Sequence, residues 1–160
     1  MGILEIKKYP EKVLRGGCIE VSQVGKREKD IFSNMLETMR YFKGIGLAAP
    51  QVGIKERMII ADIGDGPVFL ANPEIVRRSG NDVLEEGCLS VPHVEVSVER
   101  NFEILVKGID QKGKEQEIKA KGLLARVFQH EIDHLDGKLI IDYLPWLELA
   151  RFMKEKDSRE

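Results

Sequence analysis

Across residues 27–42 apolar side chains recur at helical spacing: Ile31, Met35 and Met39 fall every four residues, with Phe32 and Leu36 widening the stripe. This predicts an amphipathic helix that ends at Gly44. The period then changes. Residues 57–62, 68–72 and, after Pro73, 74–78 read as strands, and Val94, Val96 and Val98 alternate with Glu95 and Ser97. Residues 102–109 and 115–120 flank Asp110-Gln111-Lys112-Gly113, a hairpin-turn composition. Helical spacing returns from Gly122 to Leu135, stops at Asp136-Gly137, and resumes after Pro145 with Leu147, Leu149, Ala150 and Met153. A helix, a group of antiparallel strands and then further helices predict an α+β fold rather than βαβ repetition. Neither a repeat nor a linker divides the chain, so residues 1–160 read as a single domain with a C-terminal helix from about residue 145.

Composition narrows the field. Lys+Arg (25) nearly balances Asp+Glu (27) for a net charge of −2, which argues against the basic surface of a nucleic-acid binder. No apolar run has the length of a membrane span, and the first residues lack the pattern of a signal or transit peptide. The expectation is a cytoplasmic protein of bacterial type with no membrane partner. Two cysteines in such a chain argue against a disulfide framework.

The densest chemistry lies at Gln129-His130-Glu131-Ile132-Asp133-His134. Histidines four residues apart share one face of a helix, so both imidazoles reach one metal ion, and Glu131 beside them can handle the protons of a water. Such a pair needs a third ligand. Cys88, in Glu85-Glu86-Gly87-Cys88-Leu89-Ser90, is one candidate: a thiolate suits zinc or ferrous iron, and three protein donors leave one position for water. Alone, Cys88 reads as a small buried hydrophobe; beside Gly87, and with two histidines lacking a partner, it reads as a ligand. Cys18 has no such company and reads as structural, and His93, after Pro92, as a bystander on an exposed turn. A third segment, Gly44-Ile45-Gly46-Leu47-Ala48-Ala49-Pro50-Gln51-Val52-Gly53, is built of small residues that let another backbone or a substrate approach. Its Gly-x-Gly lacks the third glycine and the preceding strand of a dinucleotide loop, so that reading fails.

Taken in order, Gly44-Ile45-Gly46-Leu47-Ala48-Ala49-Pro50-Gln51, Glu86-Gly87-Cys88-Leu89-Ser90 and Gln129-His130-Glu131-Ile132-Asp133-His134-Leu135 resemble the three signature motifs of the peptide deformylase family. The likeness extends to Tyr9-Pro10, Val13-Leu14 and Gly122-Leu123-Leu124-Ala125. It implies antiparallel sheets packed around a central helix that carries the metal-binding motif. It implies hydrolysis of the N-formyl group from the initiator methionine of new polypeptides, with release of formate. The ligands would be Cys88, His130 and His134, holding ferrous iron first, with zinc, nickel or cobalt able to occupy the same donors. Glu131 would take and return the proton, and the side-chain amide of Gln51 and the backbone N–H of Leu89 would face the developing oxyanion. Ile45, Gly46, Leu123 and Val127 would receive the formylmethionine. The partners implied are formylmethionyl nascent peptides and, through the short mixed-charge C-terminal tail, the ribosome, without direct nucleic-acid specificity.

Two other readings carry distinct expectations. A zinc metallopeptidase would draw its third ligand from a carboxylate such as Glu148 or Glu155 and leave Cys88 dispensable. A binding module with a structural metal would have no use for Glu131 and Gln51. For the outer ring of partners, Asp133 and Asp136 are the carboxylates nearest the histidines in sequence, and Arg100 is expected to pair with Glu86.

Overall fold

The computed structural model describes residues 2–159, with side chains through residue 155. The first helix, α1 (Lys26–Tyr41), opens where Glu28 accepts a hydrogen bond from the Gly25 N–H at 2.9 Å. Its buried stripe is Phe32, Met35 and Met39, close to the expected one. Its end differs in detail from the glycine stop that the sequence suggests. The left-handed residue is Lys43 (φ 59°), and the Gly44 N–H reaches back to the Met39 carbonyl at 2.9 Å. A lysine thus occupies the position that usually falls to glycine in this C-terminal motif.

Among the described residues seven strands follow: β1 (Gly46–Ala48), β2 (Met58–Ala61), β3 (Val68–Ser79), β4 (Asp82–Cys88), β5 (Val91–Arg100), β6 (Glu103–Ile109) and β7 (Glu115–Lys121). They form an antiparallel sheet in the order β1-β2-β3-β6-β7 and a separate β4-β5 hairpin. Two further helices are α2 (Gly122–Leu135) and α3 (Trp146–Arg159). The α+β expectation holds, and α2 spans the residues its periodicity assigned.

The sheet lies between α1 and α2, and β2 shows why. All four of its residues are buried. Met58 and Ile60 pack with Phe32, Met35 and Met39 of α1, whereas Ile59 and Ala61 pack with Phe128, Ile132 and Leu135 of α2. Alternation of side chains across a strand sends each pair to a different helix, so a continuous apolar run is the proper sequence for this place. A third cluster joins Val91, Val96 and Val98 of β5 to Leu14, Leu139, Ile140 and Ile141, and α3 rests on it through Leu149 and Phe152.

The structure departs from the sequence pattern at four places. Pro73 does not divide two strands: β3 runs through it, and the register slips between Ala71 and Glu74, where a bulge spares the missing N–H. The 44–53 segment, left without a regular element by the sequence pattern, contains β1 and a 3-10 turn, Ala49–Val52, with Gln51 buried. Strand β4, unassigned from sequence, carries exposed Val83 and Leu84 and a buried Glu86, the reverse of ordinary patterning. His93 lies within β5 rather than on a turn, exposed and with φ 66°.

At the β3 bulge, Asn72 has φ 51° and ties down the segment before α1: its Nδ2 donates to the Val21 carbonyl at 2.8 Å and its Oδ1 accepts the Val21 N–H at 2.7 Å. Asn72→Ala should therefore lower stability by about 2–3 kcal/mol, from two lost hydrogen bonds and the left-handed cost of alanine. Urea unfolding measures this; a loss below about 0.5 kcal/mol would mean that the side chain is not a tether.

Candidate metal centre

Helix α2 presents His130 and His134 one turn apart, with ring centroids 5.0 Å from each other. At the end of β4, Cys88 Sγ lies 3.4 Å from His134 Nε2. One donor atom from each of Cys88, His130 and His134 falls within 4.8 Å of the others, and this is the cluster able to hold a metal among the described residues. A thiol and two imidazoles suit borderline transition ions. The His130 Nδ1 hydrogen-bonds Glu86 Oε1 at 2.8 Å, which leaves Nε2 as its donor atom. Glu131 is buried beside the cluster, and its Oε1 has no hydrogen-bond partner among the described residues. Burial pushes its carboxyl up to about 7, against the pull of a charged His130, so it can gain or lose a proton near neutrality.

The 44–53 segment meets this cluster edge-on. A Cβ placed on Gly46 would lie 2.5 Å from Glu131 Oε2 and 2.6 Å from Val127 Cγ1, so glycine is what lets the strand and the helix approach. Gln51 is held from both ends: its Oε1 accepts the Ala48 N–H at 2.9 Å, and its Nε2 donates to Ser90 Oγ at 3.2 Å and to Cys88 Sγ at 3.6 Å. The amide is therefore fixed with its N–H groups toward the thiol. Leu89, between Cys88 and Ser90, lies in the turn joining β4 to β5.

Glu86 is the hub of the surroundings. Its carboxylate accepts Arg100 Nε and Nη2, each at 2.9 Å, Arg126 Nη1 at 2.5 Å, and the His130 ring nitrogen. Burial opposes its ionisation, but hydrogen bonds from His130 and Arg100 win and hold it at about 2. The expected Glu86–Arg100 pair is present. Asp133 and Asp136, in contrast, do not serve the histidines: Asp133 binds Arg100 and Tyr143, and Asp136 binds Arg57. Their partners come from other elements, which residue numbers alone do not reveal. Arg126, which no sequence signal marks, is buried, and its second nitrogen donates to the Asp82 carbonyl.

Above the cluster opens a cavity of about 550 Å³. Cys88, His130, Glu131 and Gln51 line its polar end, while Val127, Ile45, Leu123 and Leu84 supply apolar wall. Val127 is buried, whereas Ile45 and Leu123 are 44% and 48% exposed at the mouth. Cys18 lies elsewhere, packed beside the sheet–α2 core, where burial pushes its thiol up to about 11 and keeps it unreactive.

The sequence model of the polypeptide deformylase family matches residues 3–149. The chain belongs to the peptide deformylase family. It is 46% identical to the peptide deformylase of Thermodesulfovibrio yellowstonii over 165 aligned residues, covering all of both chains. With that of Halothermothrix orenii the identity is 48%, over 89% of this chain and 94% of the other. Among solved structures, the Ehrlichia chaffeensis peptide deformylase in complex with actinonin superposes with a TM-score of 0.94 at 36% identity, over 100% of this chain and 99% of that one. The Thermotoga maritima peptide deformylase gives 0.87 at 43%, over 89% and 98%. Peptide deformylases are metal-dependent hydrolases, in keeping with the donor cluster. The metallopeptidase alternative fails on placement: Glu148 and Glu155 are exposed on α3 and do not join the cluster.

Glu86→Gln keeps the shape but strips buried Arg126 of its nearest counter-charge and leaves buried Arg100 with Asp133 alone. It should cost about 3–5 kcal/mol in denaturant unfolding. Metal affinity in a chelator competition should fall about 10–100-fold. Unchanged values in both would mean that the carboxylate is incidental to the site.

Proposed function

We propose that this peptide deformylase uses Glu131 as its proton-transfer group, with Cys88, His130 and His134 holding one divalent ion beside it. The reaction is hydrolysis of the N-formyl group from nascent polypeptides, giving formate and a free amine. The observation that supports the assignment best is the buried Glu131 carboxyl, its Oε1 without a hydrogen-bond partner among the described residues, beside a thiol–imidazole cluster that lines the apolar-walled cavity.

When bound, the ion supplies Lewis acidity, which lowers the pKa of water towards about 7 and polarises a carbonyl. Ferrous iron is the ion that the family likeness puts first, and zinc, nickel and cobalt suit the same donors. Glu131 accepts the proton of the attacking water on its unpartnered Oε1 and returns it to the departing nitrogen. As the formyl carbon becomes tetrahedral, its oxygen gains charge, and the fixed Nε2–H of Gln51 and the N–H of Leu89 are the donors assigned to it. Gln51 is preorganised because the Ala48 N–H already occupies its oxygen. The methionine side chain takes the apolar wall of Val127, Ile45 and Leu123, and Gly46 keeps the β1 backbone close enough to border the formyl end.

The setting is proposed as the cytoplasm, where formylated chains emerge. No helix of the described residues is long and apolar enough to cross a membrane. Docking to the ribosome is assigned to the mixed-charge C-terminal end of α3, beyond Ala150. Cosedimentation with ribosomes that survives loss of the residues after Ala150 would remove that assignment.

Formate release from formyl-Met-Ala-Ser tests the chemistry. Protein loaded anaerobically with ferrous iron or nickel should release formate, and equally loaded Glu131→Ala should not. Gln51→Ala, with its metal retained, should lose about 10²–10³ in kcat. Full activity in either variant contradicts the role given to that residue.

A further inference from the structure

One cluster beside the ligands has no part in the chemistry above. The Tyr143 hydroxyl donates to Asp133 Oδ2 at 2.5 Å, and Arg100 Nη1 donates to the same carboxylate oxygen at 2.6 Å and to the Tyr143 oxygen at 3.1 Å. The Arg100 guanidinium also stacks on the Tyr143 ring, 4.9 Å from its centroid. Its other two nitrogens are forked on Glu86, which in turn holds the His130 ring. Tyr143 thus stands at the end of a continuous path: phenol, aspartate, guanidinium, carboxylate, imidazole. It belongs to a 3-10 turn, Ile140–Tyr143, that packs on the β5 cluster, outside all three sequence motifs.

The path has a mechanical consequence. Arg100 bridges two elements that each carry ligands: Glu86 lies two residues before Cys88 on β4, and Asp133 lies on α2 between the histidines. A guanidinium is planar and rigid, so the tilt that satisfies Asp133 also sets the plane in which it meets Glu86. Tyr143 fixes that tilt twice, by its ring face and by sharing the Asp133 oxygen. The hydroxyl also takes up part of the Asp133 charge, which leaves more of the Arg100 charge for Glu86.

We infer that Tyr143 is a positioning residue for the metal centre, acting through Asp133, Arg100 and Glu86 on the orientation of His130. The inference rests on the metal reading above and is tested separately from it. Tyr143→Phe keeps the stacking ring and removes only the hydroxyl. In cobalt-substituted protein the parent should show a thiolate-to-cobalt charge-transfer band and tetrahedral visible bands. Tyr143→Phe should shift the visible bands, weaken cobalt affinity about 10-fold and lower kcat about 3–10-fold with KM unchanged. Asp142→Asn is the control, because Asp142 caps the same turn through the Leu139 N–H and pairs with Arg15 without touching Arg100. It should lower the unfolding midpoint and leave the spectrum alone.

A Tyr143→Phe protein with the parent's spectrum, affinity and kcat overturns the inference, as does an equal spectral shift in Asp142→Asn, which would mean that general loosening of the turn is felt at the metal. A parent protein without the thiolate band would instead contradict the ligand assignment, and this inference with it.

Discussion

A buried carboxylate flanked by two arginines sets the terms for everything around it. Glu86 lies on a hairpin that belongs to neither face of the main sheet, and its partners come from β5 and α2. Burying one carboxylate and two guanidinium groups is costly unless each finds its hydrogen bonds, and here the carboxylate receives four. The geometry that satisfies it also docks the hairpin on the helix. Cys88, two residues further along β4, is thereby brought to His134. The metal cluster is thus assembled by an ion pair as much as by the apolar core.

Close backbone approach is the second constraint. Glu131 must be shielded from water to keep a carboxyl near neutrality, yet it needs a neighbour thin enough to leave room for substrate. Gly46 meets both demands, because any side chain there would collide with Glu131 and Val127. The small residues around it serve the same end: Ala48 offers its N–H to Gln51 and its side chain to the α2-facing core. One short strand therefore orients the amide, borders the cavity and covers Glu131.

Helices α1 and α2 were legible from the sequence because apolar period and burial agree there. The clustering of Cys88, His130 and His134 was legible for a different reason: thiol and imidazole chemistry is restrictive enough that few side chains could serve. What escaped was polar. Strand β4 buries a glutamate and exposes Val83 and Leu84, so its pattern reads as loop. Asp133 and Asp136 are near the histidines in number but leave the helix toward Arg100 and Arg57. Tyr143 is invisible to local pattern, because Arg100 on β5 and Asp133 on α2 meet it only through tertiary packing. Pro73 reads as a break, and only the pairing register shows that a bulge absorbs it.

The central claim, that one thiolate from the hairpin and two imidazoles from α2 form a single site, is most directly tested by X-ray absorption at the metal edge of zinc-loaded protein. The account predicts one sulfur scatterer at about 2.3 Å and two imidazole nitrogens at about 2.0–2.1 Å, with the sulfur lost in Cys88→Ser. A first shell of nitrogen and oxygen alone, unchanged by that substitution, would contradict it.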